Sequence, residues 1–188
     1  MGLTLCFFQS ARQPRNRFPY NSPSMADSPP VRLIGRALLD RVSAEAARNP
    51  RLRMHHNFHR HEEPVQRFLN AVEPGSYVRP HRHLDPPKWE LFVCLRGRGA
   101  SITFDDAGRI AAIHRLDPDR GDYGIEIPAG AWHTIVSLEP GSVFLEIKEG
   151  PFAPKHTGGF APWSPAADDP AAPRYLASLG AAIAGADR

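Results

Sequence analysis

The sequence predicts an all-β sandwich or barrel, preceded by one amphipathic helix and followed by a proline-rich arm. Twenty prolines and 15 glycines among 188 residues imply many turns and few long helices. From residue 54 to residue 150, short runs rich in Val, Ile, Leu and Phe are separated by Gly, Pro and Asp turns at strand-like spacing. No helical period interrupts them, which excludes an alternating βαβ fold.

Residues 1–28 read as a disordered leader, or as lying largely upstream of a true translation start at Met25. The leader holds Arg12, Arg15 and Arg17 and no acidic residue before Met25, so it carries the whole net charge of +3 and the rest of the chain is neutral. This argues against a nucleic-acid partner. The apolar start at Leu3, Leu5, Phe7 and Phe8 lacks the charged flank of a signal peptide and the length of a membrane span. Only Cys6 and Cys94 occur, so no disulfide framework is expected, and a cytoplasmic location fits.

The second segment, 29–52, is read as a helix packed on the barrel. Val31, Ile34, Leu38, Val42 and Ala46 fall at three-to-four spacing over 31–48, and Asn49-Pro50 ends the run. The barrel is assigned to 53–150, with strands near 66–72, 76–82, 89–96, 100–105, 109–115, 123–127, 132–138 and 142–148. Residues 151–188 form the arm, with Phe160 and Trp163 as its expected anchors, and end in a short helix near 173–184.

The chemistry is concentrated in GSYVRPHRHLDPPKWELFVCLRG at 75–97 and IEIPAGAWH at 125–133. Side chains alternate along a strand, so His81 and His83 should share a face and bind one ion. Glu90 lies at an odd offset from His83, but Asp85-Pro86-Pro87 breaks the strand and allows the carboxylate to return on the next one. His133 follows a Pro-x-Gly turn that aims it. Three imidazoles and one carboxylate suit one divalent transition metal, Fe, Mn, Zn, Ni or Cu, and are too nitrogen-rich for Ca or Mg.

The spacing from Gly75 through His81, His83 and Glu90 to Gly97 resembles the first motif of the cupin superfamily, with a longer gap before the glutamate. Pro128-x-Gly130-x-x-His133 resembles the core of the second, although Asp122 and Ser137 stand where glycine and asparagine are usual. The resemblance implies a cupin (double-stranded β-helix, or jelly-roll) barrel. A further resemblance, to the WbuC family of cupin-fold metalloproteins, runs from about Arg53 to Pro154. It is carried by HHNFHRHEEPVQRFLNAVEPGSYVRPHRH, PPKWELF, TFDDAGRI, IEIPAGAWHTIVSLEPGSVFLEIKEGPF and the FAPW arm. That family is associated with bacterial surface-polysaccharide (O-antigen) gene clusters. The resemblance also implies that Arg53, Asn57 and His59 rim the pocket.

Alternation back from His81 points Tyr77 and Arg79 inward, making Arg79 a candidate clamp for an anion unless Pro80 bends it into solvent. Gln66 and Arg67 face opposite sides of one strand, so one of them points in. Glu146 and Lys148 share a face and read as an internal ion pair or a polar outer face, with Lys148 a candidate substrate contact. Both faces of the strand after Glu90 are apolar, Leu91, Val93 and Leu95 against Phe92 and Cys94, so a helix or a second subunit is expected to cover it, with a homodimer favoured.

The function expected first is a metalloprotein acting on a small, anionic or sugar-like molecule, as a metal-dependent isomerase or epimerase with Tyr77 or His59 as candidate base. A non-haem Fe(II) dioxygenase and a non-catalytic binding module use the same ligands. The chain has no Gly-rich phosphate loop, nucleophile elbow or Cys-x-x-Cys pair.

Overall fold

The computed structural model describes residues 31–152 and 159–186. The leader and its Cys6 lie outside the described residues, as does part of the arm. The chain divides into Met1–Leu33 and Ile34–Arg188. Of the first unit only residues 31–33 are described, and they are exposed without regular structure.

Helix α1 (Arg36–Arg48) is followed by eight strands: β1 (Arg53–Asn57), β2 (Val65–Val72), β3 (Glu90–Arg96), β4 (Gly99–Phe104), β5 (Ile110–Leu116), β6 (Gly124–Ile127), β7 (Trp132–Ser137) and β8 (Ser142–Glu149). Helix α2 (Ala172–Gly185) closes the order. The strands make two antiparallel sheets, β1-β2-β8-β3-β6 and β5-β4-β7. The fold class is therefore all-β, a two-sheet jelly-roll barrel with a short helix before it.

Three apolar layers hold it. Val72, Phe92, Cys94, Leu116, Ile127, Ile135 and Phe144 come from both sheets and fill the space between them. Outside the larger sheet, Val42 and Ala46 of α1 cover Leu69, Ala71 and Val143, with Leu95 at the edge. Outside the smaller sheet, Leu179 and Ile183 of α2 cover Ala100, Ile102 and Phe104. Trp163 of the arm packs on Phe104 at 4.9 Å and sits over Gly108, where a Cβ would come within 2.6 Å of the indole.

The structure departs from the sequence reading in three places. Helix α1 begins after Gly35, which is extended, so Val31 and Ile34 contribute no packed stripe and are exposed. Strand β1 was not expected, because its inward positions are polar and give no apolar alternation. Conversely, 76–82 forms no ladder strand: only His81 makes an isolated bridge, and Pro80 has no N–H to contribute.

Candidate metal centre

The four ligand candidates meet, and backbone pairing explains how. His81 and His133 exchange both main-chain hydrogen bonds, N to O at 3.0 and 2.9 Å, so the two imidazoles stand side by side with ring centroids 4.4 Å apart. Gly130 N–H donates to His83 O at 2.9 Å, which ties His83 to the turn before β7. Beyond the bridge between Leu84 and Pro87, Glu90 opens β3 between β8 and β6 and points inward. Strand alternation is thus not what brings His81 and His83 together; β7 positions them.

One ligand atom from each of His81, His83, Glu90 and His133 lies within 4.8 Å of all the others. His83 Nε2 is 2.8 Å from Glu90 Oε1, and His133 Nε2 is 2.8 Å from Glu90 Oε2. Neighbouring ligand atoms on an ion with bonds of about 2.1 Å sit roughly 3 Å apart at right angles. His81 Nδ1 donates to Arg79 O and His133 Nδ1 to Ala131 O, both at 2.9 Å, which leaves each Nε2 lone pair for the centre. Glu90 Oε2 and His133 Nε2 are buried and make no well-formed hydrogen bond, so a lone pair on nitrogen faces a carboxylate oxygen. A shared cation resolves that repulsion, and the donor set fits a divalent transition metal.

A charged network backs Glu90. Lys148 Nζ donates to Glu90 Oε1 and to Glu146 Oε1, each at 2.9 Å, and Asn70 Nδ2 donates to Glu146 Oε2 at 3.2 Å. Burial works to raise the Glu90 carboxyl, and the Lys148 ammonium 2.9 Å from Oε1 works to lower it. Burial alone would likewise lower Lys148, but the two carboxylates hold it above the ordinary lysine value. The ammonium is a fixed charge that keeps Glu90 oriented and ionised.

His81 also opens onto a cavity of about 750 Å³. One wall is Arg53, His55, Asn57, His59 and His61, alternate residues of β1 and the turn after it. Phe160 of the arm lines another part rather than filling a separate groove, 6.5 Å from the His81 ring. Gln66 is the inward member of its pair; Arg67 faces out to Glu63. Glu146 and Lys148 form the internal ion pair, so Lys148 is already occupied.

Other candidates are engaged elsewhere. Arg79 donates to Ala161 O, Ser164 O and Ser164 Oγ and lies over Phe160, fastening the arm across the cavity. Tyr77 is buried, donates its hydroxyl to Pro165 O and meets Tyr175 edge-on, away from the ligands. His59 Nδ1 lies 2.8 Å from both the N–H and the carbonyl oxygen of Arg67, so that ring nitrogen is taken up by the β2 backbone rather than turned to the ligands. Sequence reasoning missed Asn70, which sits in the apolar-looking run FLNAV but reaches both the network and the cavity.

A family model described as Domain of unknown function (DUF6016) matches residues 34–116. No curated protein matches the chain significantly. Solved structures similar to it include Bacillus subtilis oxalate decarboxylase, which has Mn(II) centres (20% identity, 53% of this chain and 24% of that one, TM-score 0.40). KdgF from Halomonas sp. is 18% identical over 50% of this chain and 76% of that one, with a TM-score of 0.40. A conserved protein of unknown function from Streptococcus pyogenes, SPY1581, is 14% identical over 56% and 80%, with a TM-score of 0.43. The chain spans about a quarter of the length of the oxalate decarboxylase it matches. Two antiparallel sheets around three histidines and a glutamate give a jelly-roll barrel with a candidate metal site of the cupin type. Among the described residues no helix is long and apolar enough to cross a membrane.

Proposed function

We propose that the protein is a WbuC-like cupin that binds and acts on a small sugar acid or sugar derivative in bacterial surface-polysaccharide metabolism. The observation that supports this most is that His81 belongs both to the metal cluster and to the wall of a cavity rich in cations and hydrogen-bond donors. Among the cations that line the cavity, Lys148 is taken up by Glu90 and Glu146 and Arg79 by the arm, so it is Arg51 and Arg53 that give the wall a positive charge suited to an anion. When bound, the metal supplies Lewis-acid polarisation of a carbonyl or hydroxyl. The chain's own part is to orient the ligand with Asn57 and His59, while Lys148 holds Glu90 in place. A cytoplasmic setting and a homodimer belong to the same proposal. Leu91 and Ile147, cross-strand partners on the outer face of the larger sheet, are only half-buried in the single chain and offer the contact.

Protein purified without chelator should hold one equivalent of a transition metal by elemental analysis. His81→Ala and His133→Ala should each lower occupancy by at least about tenfold with the far-ultraviolet circular dichroism unchanged. Hexuronates and nucleotide sugars should perturb the metal's electron paramagnetic resonance spectrum. Full occupancy after either substitution, or no perturbation by any of these sugars, would refute the reading.

A further inference from the structure

Resting on that reading, the cavity also carries information about the ligand's length. Asn70 is 5% exposed and lines the cavity, yet its Oδ1 has no hydrogen-bond partner among the described residues. Its orientation is fixed: the Glu146 carboxylate, held by Lys148, can only accept, so Nδ2 must face it and Oδ1 must face away. A buried acceptor without a donor is costly, and a ligand hydroxyl would satisfy it.

Arg53 offers a second unfilled position. Its Nη1 donates to Tyr77 O at 2.8 Å and Ser76 Oγ at 3.2 Å, while no hydrogen bond among the described residues takes Nε or Nη2. Burial, with Arg51 alongside, disfavours its charge, so an anion on the open edge would be stabilised. Arg53 is anchored at Tyr77, and the run from Tyr77 to His81 contains neither helix nor turn. Tyr77 and His81 are four residues apart along that run, so the anchored guanidinium and the metal end are separate points of the cavity wall. The sheet register agrees with a wide separation: Arg53 lies at the end of β1 that pairs with Val72, whereas Glu90 pairs with Lys148, at the opposite end of β8 from Ser142, the residue facing Val72.

The geometry points to an elongated polyhydroxylated ligand, longer than one hexose ring, that meets the metal at one end, donates a hydroxyl to Asn70 Oδ1 along its length and seats a carboxylate or phosphate on Arg53 at the other. Asn70 and Arg53 are then specificity-determining residues that a single sugar acid does not use fully.

The test compares galacturonate, digalacturonate and a uridine diphosphate hexose by calorimetry on the metal-loaded full chain. At least one longer ligand should bind about tenfold more tightly than galacturonate. Digalacturonate as the tighter one would identify an oligosaccharide acid, and the nucleotide sugar a phosphate-bearing one. Arg53→Gln and Asn70→Ala should each remove most of that advantage while changing galacturonate affinity much less, and Arg53→Lys should retain part of it. Metal content and thermal melting of each variant report folding, and Asn70→Ala keeps the test open if Arg53→Gln fails to fold. Equal affinities for short and long ligands, or a length advantage that survives both substitutions, overturns the inference. If galacturonate still perturbs the metal spectrum in that case, the proposed function stands without it; if no sugar binds, both fall.

Discussion

The two faces of this sandwich are built on different physics. The outer face of the smaller sheet is closed mainly by apolar contact, with Ala100, Ile102 and Phe104 under Leu179 and Ile183, and one hydrogen bond from Arg115 Nη2 to Ile183 O at 3.0 Å. The inner face of the larger sheet buries Gln66, Asn70, Glu90 and Glu146 and holds Lys148 nearly as deep. The first arrangement tolerates no vacancy because dispersion and water exclusion scale with filled space. The second tolerates a cavity but no missing charge, because each ion there is kept by its neighbours. The difference assigns stability to one region and ligand binding to the other.

The largest effect expected on that division comes from the apolar face. Ile183 is 1% exposed, and Ile183→Ala should cost about 4 kcal/mol in denaturant unfolding. Metal occupancy of the folded fraction should not change, since Ile183 packs in the apolar layer outside the smaller sheet. A loss of metal without a loss of stability would show that the two faces are not separable.

Lys148→Met sharpens the contrast from the other side. Removing the ammonium leaves Glu90 and Glu146 buried with their shared cation gone, at a cost of about 3 kcal/mol in the metal-free protein. Metal should restore part of it, because the ion then neutralises Glu90. The double change Lys148→Met with Glu146→Gln should be less destabilised than Lys148→Met alone. Additive losses would mean that the network is not the unit of stabilisation.

The same division decides what could be read from the sequence. Seven of the strands announced themselves through apolar runs, because their inward or outward faces are packed. Strand β1 did not, since Arg53, His55 and Asn57 face a cavity and carry no hydrophobic period. The segment 76–82 misled in the opposite direction: it was expected as a strand, but only His81 makes a bridge and Pro80 has no N–H to contribute. The metal ligands were legible because their residue types are scarce and their turns are marked by Pro and Gly. Asn70 was not, because its function depends on Glu146, 76 positions away.

Cys94 gives the smallest and cleanest test of the filled interior between the sheets. It is 3% exposed, its Sγ–H points at Gly97 O at 3.3 Å, and burial pushes the thiol up to about 11. Alkylation needs the thiolate, so at pH 8 the folded protein offers both a depleted nucleophile and no access to it. In a Cys6→Ser background, Cys94 should label with iodoacetamide only as fast as the protein unfolds, and at the full rate in denaturant. Ile183→Ala should speed labelling in proportion to its loss of stability when opening is global, whereas His133→Ala, which removes a metal ligand and little packing, should leave it nearly unchanged. Rapid labelling of the folded chain would place Cys94 on the cavity side of the boundary and move the edge of the binding region into what is here the core.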